Sequence, residues 1–277
     1  MAIDTQGRRT PLPVRSSDGL PVHEGKGFIV TGAARGLGRA VAERLLDQGA
    51  RIVMADISAD QLEVAAAALG GSDRVRAVAF DLADADSVHG LVDEAAEFLG
   101  VIDGVANVGA IVGYSDAVDT DRHAWRRMFE INVIGNYDVA QLAAQHMIGR
   151  GVRGAIVNVA SEAGKNGHVD MVPYSASKAA VINATRMLSD ALAKHDINVN
   201  CVCPGQLNTE MLRSVANRYA ELTRRSADDL YDEMKNIQLH RHVEPIEVAR
   251  VISFLLSDDA LVIRGQAINV DAGGTYS

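Results

Sequence analysis

The chain has 277 residues, of which 48% are hydrophobic and 23% charged, and 27 Lys and Arg stand against 36 Asp and Glu. The formal net charge of −9 excludes a general nucleic-acid binder, whose affinity rests on Lys and Arg. The apolar runs are far shorter than the ~20 residues a membrane span needs, and two cysteines, Cys201 and Cys203, cannot build a disulfide framework.

Residues 1–26 carry Pro11, Pro13 and Pro21 beside Gly7, Ser16, Ser17 and Gly19, with no helical or strand period. They read as a flexible or surface-draped arm. Arg8, Arg9 and Arg15 are followed by no apolar stretch of the kind a secretion signal has, so a cytoplasmic protein is expected.

From Gly27 short apolar runs alternate with amphipathic segments. Phe28-Ile29-Val30 reads as a strand and Leu37 to Gln48 as a helix. Arg51 to Ala55 is a strand, and Ala59 to Leu69 a helix stopped by Gly70-Gly71. Val75 to Phe80 is a strand, after which Asp84 to Ser87 opens a helix to Leu99 with acids in its first turn. Val101 to Ala106 is a strand, Asp121 to Ile148 one long helix, Ala155 to Val159 a strand, and Ser175 to Lys194 a helix. Ile197 to Val202 is a strand on which Cys201 and Cys203 share one face, as two buried, inert thiols. Val248 to Leu256 and Gln266 to Val270 are the last helix and strand.

This β-α-β alternation with near-continuous apolar strands predicts an α/β fold, a parallel sheet covered on both faces. No linker interrupts Gly27–Ser277, so one domain is expected. Leu207 to Val243 breaks the rhythm with Arg213, Arg218, Arg224 and Arg225 among acids. It starts at the carboxyl end of a strand, where doubly wound sheets bind ligands, and is a candidate substrate lid.

Directly after the first strand comes Thr31-Gly32-Ala33-Ala34-Arg35-Gly36-Leu37-Gly38, then the helix. Glycines at such a turn let the backbone approach a pyrophosphate that faces the helix N-terminus. Asp56, eighteen residues after Gly38, suits a ribose diol and repels a 2′-phosphate, which favours NAD over NADP; it also suits capping of the next helix. Arg35 is the opposing signal. Asp81, in Phe80-Asp81-Leu82, fits either an adenine contact or a cap.

Tyr174 and Lys178 stand at i and i+4, on one face of a helix. An ammonium close to a phenol is expected to lower its pKa toward the working range, so that the phenol can exchange a proton while hydride moves. Ser161 ends the strand thirteen residues earlier, and Asn132 sits between apolar neighbours in the long helix, where a buried amide needs partners.

These residues resemble the short-chain dehydrogenases/reductases in their compact single-domain branch. The resemblance runs from about Gly27 to Gly274 and adds Pro204-Gly205 followed by Thr209, and the closing Gly265-Gln266 with Val270 to Gly274. It implies a Rossmann sheet of seven parallel strands. It also implies Tyr174 as proton donor or acceptor, Lys178 on the nicotinamide ribose, Ser161 on the substrate carbonyl, and Asn132 holding a water that links Lys178 to solvent. Cofactor-binding residues would be Gly32, Arg35, Gly36, Leu37, Gly38, Asp56, Asp81, Leu82, Asn107, Tyr174, Lys178, Pro204, Gly205 and Thr209. Similar enzymes are usually tetramers, with a dimer as the other option. Two departures stand out: Asn107-Val108-Gly109-Ala110 where the family usually has Asn-Asn-Ala-Gly, and Ala160 where a second Ser is common.

The expected function is hydride transfer between NAD(H) and a secondary alcohol or ketone. The alternative is a non-catalytic NAD-binding sensor on the same fold, which the intact Asn132, Ser161, Tyr174 and Lys178 disfavour. No cluster of His, Cys and acids has ligand spacing, so no catalytic metal is expected. The mostly polar run from Glu162 to Asp170 points to a small polar substrate, with His168 a substrate-contacting or solvated residue.

Overall fold

The structure, a computed structural model, describes residues 22–70, 73–236 and 238–275. As far as residue 21 the arm read over 1–26 lies outside the described residues. The elements are β1 (Gly27–Thr31), α1 (Gly36–Asp47), β2 (Arg51–Asp56), α2 (Ala59–Ala68), β3 (Val75–Ala79), α3 (Ala85–Leu99), β4 (Gly104–Asn107), α4 (Arg122–Phe129), α5 (Asn136–Arg150), β5 (Ala155–Val159), α6 (Ala163–Asn166), α7 (Val172–Leu192), β6 (Asn198–Pro204), α8 (Glu210–Thr223), α9 (Ala227–Glu233), α10 (Pro245–Leu255) and β7 (Ala267–Val270).

The seven strands form one sheet in the order β3-β2-β1-β4-β5-β6-β7, and each neighbouring pair is parallel. Side chains alternate across a strand, so each apolar strand feeds two cores. Phe28, Val30, Ile52 and Met54 pack with α1, α2 and α10 on one face. Ile29, Val53, Val105, Ile156 and Val199 pack with α3, α5 and α7 on the other. Each such side chain is fully buried, which contributes roughly 1.5–3 kcal/mol. The order reverses at β1, between β2 and β4, so a crevice opens beyond the carboxyl ends of β1 and β4. Among the described residues no helix is long and apolar enough to cross a membrane.

The single helix expected over Asp121–Ile148 is two helices joined by a π-helical turn, Glu130–Gly135. The wider turn breaks the i→i−4 ladder, and two asparagines take up backbone groups around it. Asn136 Nδ2 lies 3.0 Å from the Ile131 carbonyl and 2.9 Å from that of Gly109. Gly135 faces the Leu82 carbonyl so closely that a Cβ there would stand 2.0 Å from it. Such turns concentrate at functional sites, and this one holds Asn132.

Three smaller differences follow local chemistry. Helix α7 starts at Val172 rather than Ser175, because Pro173 fits the first helical turn, where its missing N–H is not needed. Strand β4 is shifted to Gly104–Asn107. Within residues 22–26 the chain is anchored rather than draped. His23 is fully buried, its Nε2 donates to the Ser253 carbonyl at 3.2 Å, and Lys26 pairs with Asp258 at 3.0 Å.

Candidate active site

A cleft of about 1180 Å³ runs along the carboxyl ends of the strands. Its floor at β1 is backbone. Gly32 and Gly36 have φ of +64° and +55°, and a Cβ on Gly38 would stand 2.1 Å from the Gly32 carbonyl oxygen. No side chain caps the N-terminus of α1, and its first turn carries no acid. Its exposed amides are therefore free to face an anion. Thr31 Oγ1 accepts from the amides of Val108 and Gly109 at 2.9 and 3.0 Å, tying this turn to the one after β4. That turn is where the sequence departs from the family. The two turns approach closely: a Cβ on Gly32 would stand 2.8 Å from Gly109 Cα, so position 32 has to be glycine.

Of the cofactor residues read from sequence, Gly32, Arg35, Gly36, Leu37, Gly38, Asp56, Asp81, Leu82, Tyr174, Lys178, Pro204, Gly205 and Thr209 all line this cleft. Asp56 also braces the turn. Its carboxylate accepts from Ala34 N at 3.1 Å and Ser58 N at 3.0 Å, leaving further lone pairs toward the cleft. Asp81 accepts from Ala83 N at 2.8 Å. Thr209 caps α8 through Leu212 N at 3.4 Å. Arg35 reaches across the cleft to Glu210 at 2.5 Å.

Asn107 does not line the cleft. It is 2% exposed, and its Nδ2 donates to the Asn136 carbonyl at 2.9 Å and to Asn158 Oδ1 at 3.0 Å. Asn158 in turn donates to Thr185 Oγ1 at 2.9 Å. A buried polar group needs partners, and here they lie beneath the sheet's end, so Asn107 holds β4 from inside. Asn132 is likewise fully buried and off the cleft wall. Its Oδ1 accepts from Ile111 N at 2.8 Å, and its Nδ2 reaches Ile111 O at 2.9 Å and Ser177 Oγ at 3.1 Å. Ser177 Oγ donates to the Tyr174 carbonyl at 2.7 Å. Asn132 thereby links the π turn to the helix that carries Tyr174.

Ser161, Tyr174 and Lys178 meet on the cleft wall. Ser161 Oγ accepts from Ala163 N at 3.1 Å, and the Ser161 side chain favours the ionised form of the neighbouring Tyr174. Lys178 is 2% exposed and its Nζ donates to the Val159 carbonyl at 2.9 Å. Burial pulls its pKa down to about 8. The expected fall of the Tyr174 pKa is reversed here. Burial pushes the phenol up, the Ser161 bond pulls it back, and the charge of Glu162 adds to the rise. The Lys178 ammonium is held on a carbonyl, 5.9 Å from the ring centre, which limits its pull on the hydroxyl.

Two groups at this end fall in segments the sequence places at the border of the substrate pocket, without a role of their own. Glu162, named above only as part of a polar run, is 7% exposed and lines the cleft beside Ser161; Gln206 Nε2 donates to it. Burial and the charge of Asp271 push its carboxyl up to about 7, against the Gln206 bond. At the outer rim, Asp170 Oδ2 accepts from Tyr114 at 2.8 Å and from Tyr219 of α8. The two rings meet edge to face at 4.5 Å. No sequence spacing joins these residues. His168 is exposed and lines the cleft.

A family model described as enoyl-(acyl carrier protein) reductase matches residues 32–275. The sorbitol dehydrogenase of Cereibacter sphaeroides is 33% identical over 92% of this chain and 99% of its own. The galactitol 2-dehydrogenase of Agrobacterium fabrum (strain C58 / ATCC 33970) is 32% identical over 90% and 97%. Among solved structures, a variant of actinorhodin polyketide ketoreductase with NADPH superposes with a TM-score of 0.86 at 31% identity, covering 91% of this chain and 98% of that one. The chain belongs to the short-chain dehydrogenase/reductase family, and is a hydride-transfer oxidoreductase acting on alcohol or ketone groups.

Proposed function

We propose that this enzyme interconverts a small polar secondary alcohol and its ketone with NAD(H), using Tyr174 as proton donor and acceptor. The observation that carries this is the meeting of Ser161, Tyr174 and the buried Lys178 on the wall of a cleft that a glycine turn opens. The dinucleotide supplies or takes the hydride. Gly32, Gly36 and Gly38 leave room for its pyrophosphate at the α1 N-terminus. Ser161 orients the substrate oxygen, Tyr174 exchanges its proton, and Lys178 would hold the nicotinamide ribose. Asn132 acts through Ile111 and Ser177, keeping the π turn against α7; holding a water for Lys178 is its further role.

Asp56 supports NAD over NADP, because a carboxylate at the end of β2 repels a 2′-phosphate. The ion pair to Glu210 supports the same preference, since it offsets the charge of Arg35. A polyol or diol substrate is supported by the polar wall of Ser161, Glu162, His168 and Gln206 and by the names of the two dehydrogenases above. The chain would work as one catalytic domain from Gly27, with 207–243 as its lid. A homotetramer is supported by exposed Tyr137, Ile148 and Met187 on α5 and α7, and by the unpaired edge of β7. A cytoplasmic location suits a consumer of NAD.

The test is NADH formation with NAD against NADP across alcohols of graded polarity. Tyr174→Phe should lower kcat about 10²–10⁴-fold and leave dinucleotide binding in place. Full turnover by that variant would sink the mechanism.

A further inference from the structure

We propose that Glu162 and Gln206 form the subsite for a second hydroxyl, on the carbon next to the one that reacts, so that the enzyme selects vicinal diols and polyols over simple alcohols. This rests on reading Ser161 as the residue that orients the reacting oxygen.

Ser161 and Glu162 are consecutive, just past the carboxyl end of β5, and both line the cleft. The backbone of Glu162 is pinned. Its amide donates to the Pro204 carbonyl at 3.0 Å, and its carbonyl accepts from Lys165 N at 2.8 Å and Asn166 N at 2.9 Å. Gln206, just past β6, lines the same cleft, and its Nε2 donates to Glu162 Oε1. Gln206 is held in turn at the base of the lid, where its carbonyl accepts from Val243 N at 3.0 Å and from Asn236 Nδ2 at 3.2 Å. Glu162 Oε2 lies 2.9 Å from where a Cβ on Gly274 would stand, so a glycine there leaves the carboxyl its place. Two polar side chains on fixed backbone therefore flank Ser161.

Their chemistry suits a hydroxyl. A carboxylate has about four acceptor positions, and Gln206 fills one of them. Gln206 has a second N–H and a carbonyl oxygen to offer. A hydroxyl both donates and accepts, so it can donate to the carboxylate while it accepts from the amide. Hydroxyls on adjacent carbons are close enough to reach consecutive residues, one at Ser161 and one at Glu162. No cation is among the groups that act on Glu162, and burial with the charge of Asp271 pushes its carboxyl up to about 7. A desolvated acid without a counter-charge gains from each donor a ligand brings. The same acid repels a carboxylate placed beside the reacting carbon, which separates polyols from hydroxy acids.

The test compares butan-2-ol with butane-2,3-diol, which share a carbon skeleton and differ by one hydroxyl. Each is oxidised by the full chain with saturating NAD, in the wild type, E162A, E162Q and Q206A. The wild type should favour the diol in kcat/KM. E162A should cut that preference by about 10–100-fold, the worth of a hydrogen bond to a charged group, with butan-2-ol losing less. E162Q keeps the shape and one acceptor; it should cut the preference about tenfold and carries the comparison if E162A does not fold. Q206A should raise KM for the diol several-fold, because the carboxyl loses the donor that orients it. 2-Hydroxybutanoate, which puts a carboxylate beside the reacting carbon, should be a poor substrate of the wild type and a better one of E162Q. A wild type with no preference for the diol, or a preference that E162A and E162Q leave intact, would overturn the proposal alone. A wild type that oxidises neither alcohol would overturn the functional reading, and the proposal with it.

Discussion

Lys178 Nζ donates to the Val159 carbonyl at 2.9 Å while standing 5.9 Å from the centre of the Tyr174 ring. The ammonium is thus fixed by β5 rather than by the phenol, and strand and helix together set the distance between the two functional groups.

Folding moves the Lys178 pKa from 10.5 to about 8. Between those values the unfolded chain binds more protons than the folded one, so the Lys178 contribution to stability rises with pH across that window. Below pH 8 it holds its full penalty, on the order of 3 kcal/mol. Lys178→Met removes this dependence. Denaturant unfolding at several pH values should show the variant losing ground to the wild type as pH rises from 8 to 10.5. A constant gap across that window would contradict the assignment. Turnover should be lost at every pH.

Gly38 and Gly90 both sit in helices but differ in what a methyl group would meet. At Gly38 it would stand 2.1 Å from the Gly32 carbonyl oxygen, a backbone atom that cannot swing aside. Gly38→Ala should therefore deform the turn, destabilise by about 1–3 kcal/mol or more, and weaken dinucleotide binding. At Gly90 in α3 nothing lies within 4 Å. Gly90→Ala should stabilise by roughly 0.5–1 kcal/mol through helix propensity, with binding unchanged. Thermal melts and dinucleotide titrations of the two variants give the comparison.

Asp56 has two jobs, bracing Ala34 and Ser58 and facing the cleft. Asp56→Asn keeps an acceptor for one amide and removes the charge. Its ratio of kcat/KM for NADP over NAD should rise by about tenfold, and Glu210→Gln, which frees Arg35, should raise it further. A ratio unmoved by either change would remove the basis for the NAD preference.

The sheet and the phosphate turn were legible because their signals are local: apolar strands, glycines at one bend, an acid at the next strand's end. The π turn was not. One extra residue in a turn leaves the apolar spacing of 121–148 almost intact, and only the placement of Asn132 and Asn136 against Ile111 and Gly109 reveals it. Asn107 shows the converse, since its position at the carboxyl end of β4 suggested the cleft while its amide serves Asn158. The Tyr174 ionisation was misread because spacing reports proximity to Lys178 but not burial or the charge of Glu162.

The rim contact joins three separate segments in the same way and predicts how the lid behaves. Tyr219 of α8 and Tyr114 donate to one oxygen of Asp170, four residues before Tyr174. Burial raises the Tyr219 pKa, so it stays a donor through the working pH range. A hydrogen bond to a charged acceptor contributes about 1.5–3 kcal/mol, enough to favour a closed lid about tenfold or more. Tyr219→Phe keeps the edge-to-face ring contact and removes only that bond. It should raise KM about tenfold while changing kcat less, and amide hydrogen exchange over 210–223 should quicken. Exchange unchanged in that helix would mean that Asp170 does not hold the lid.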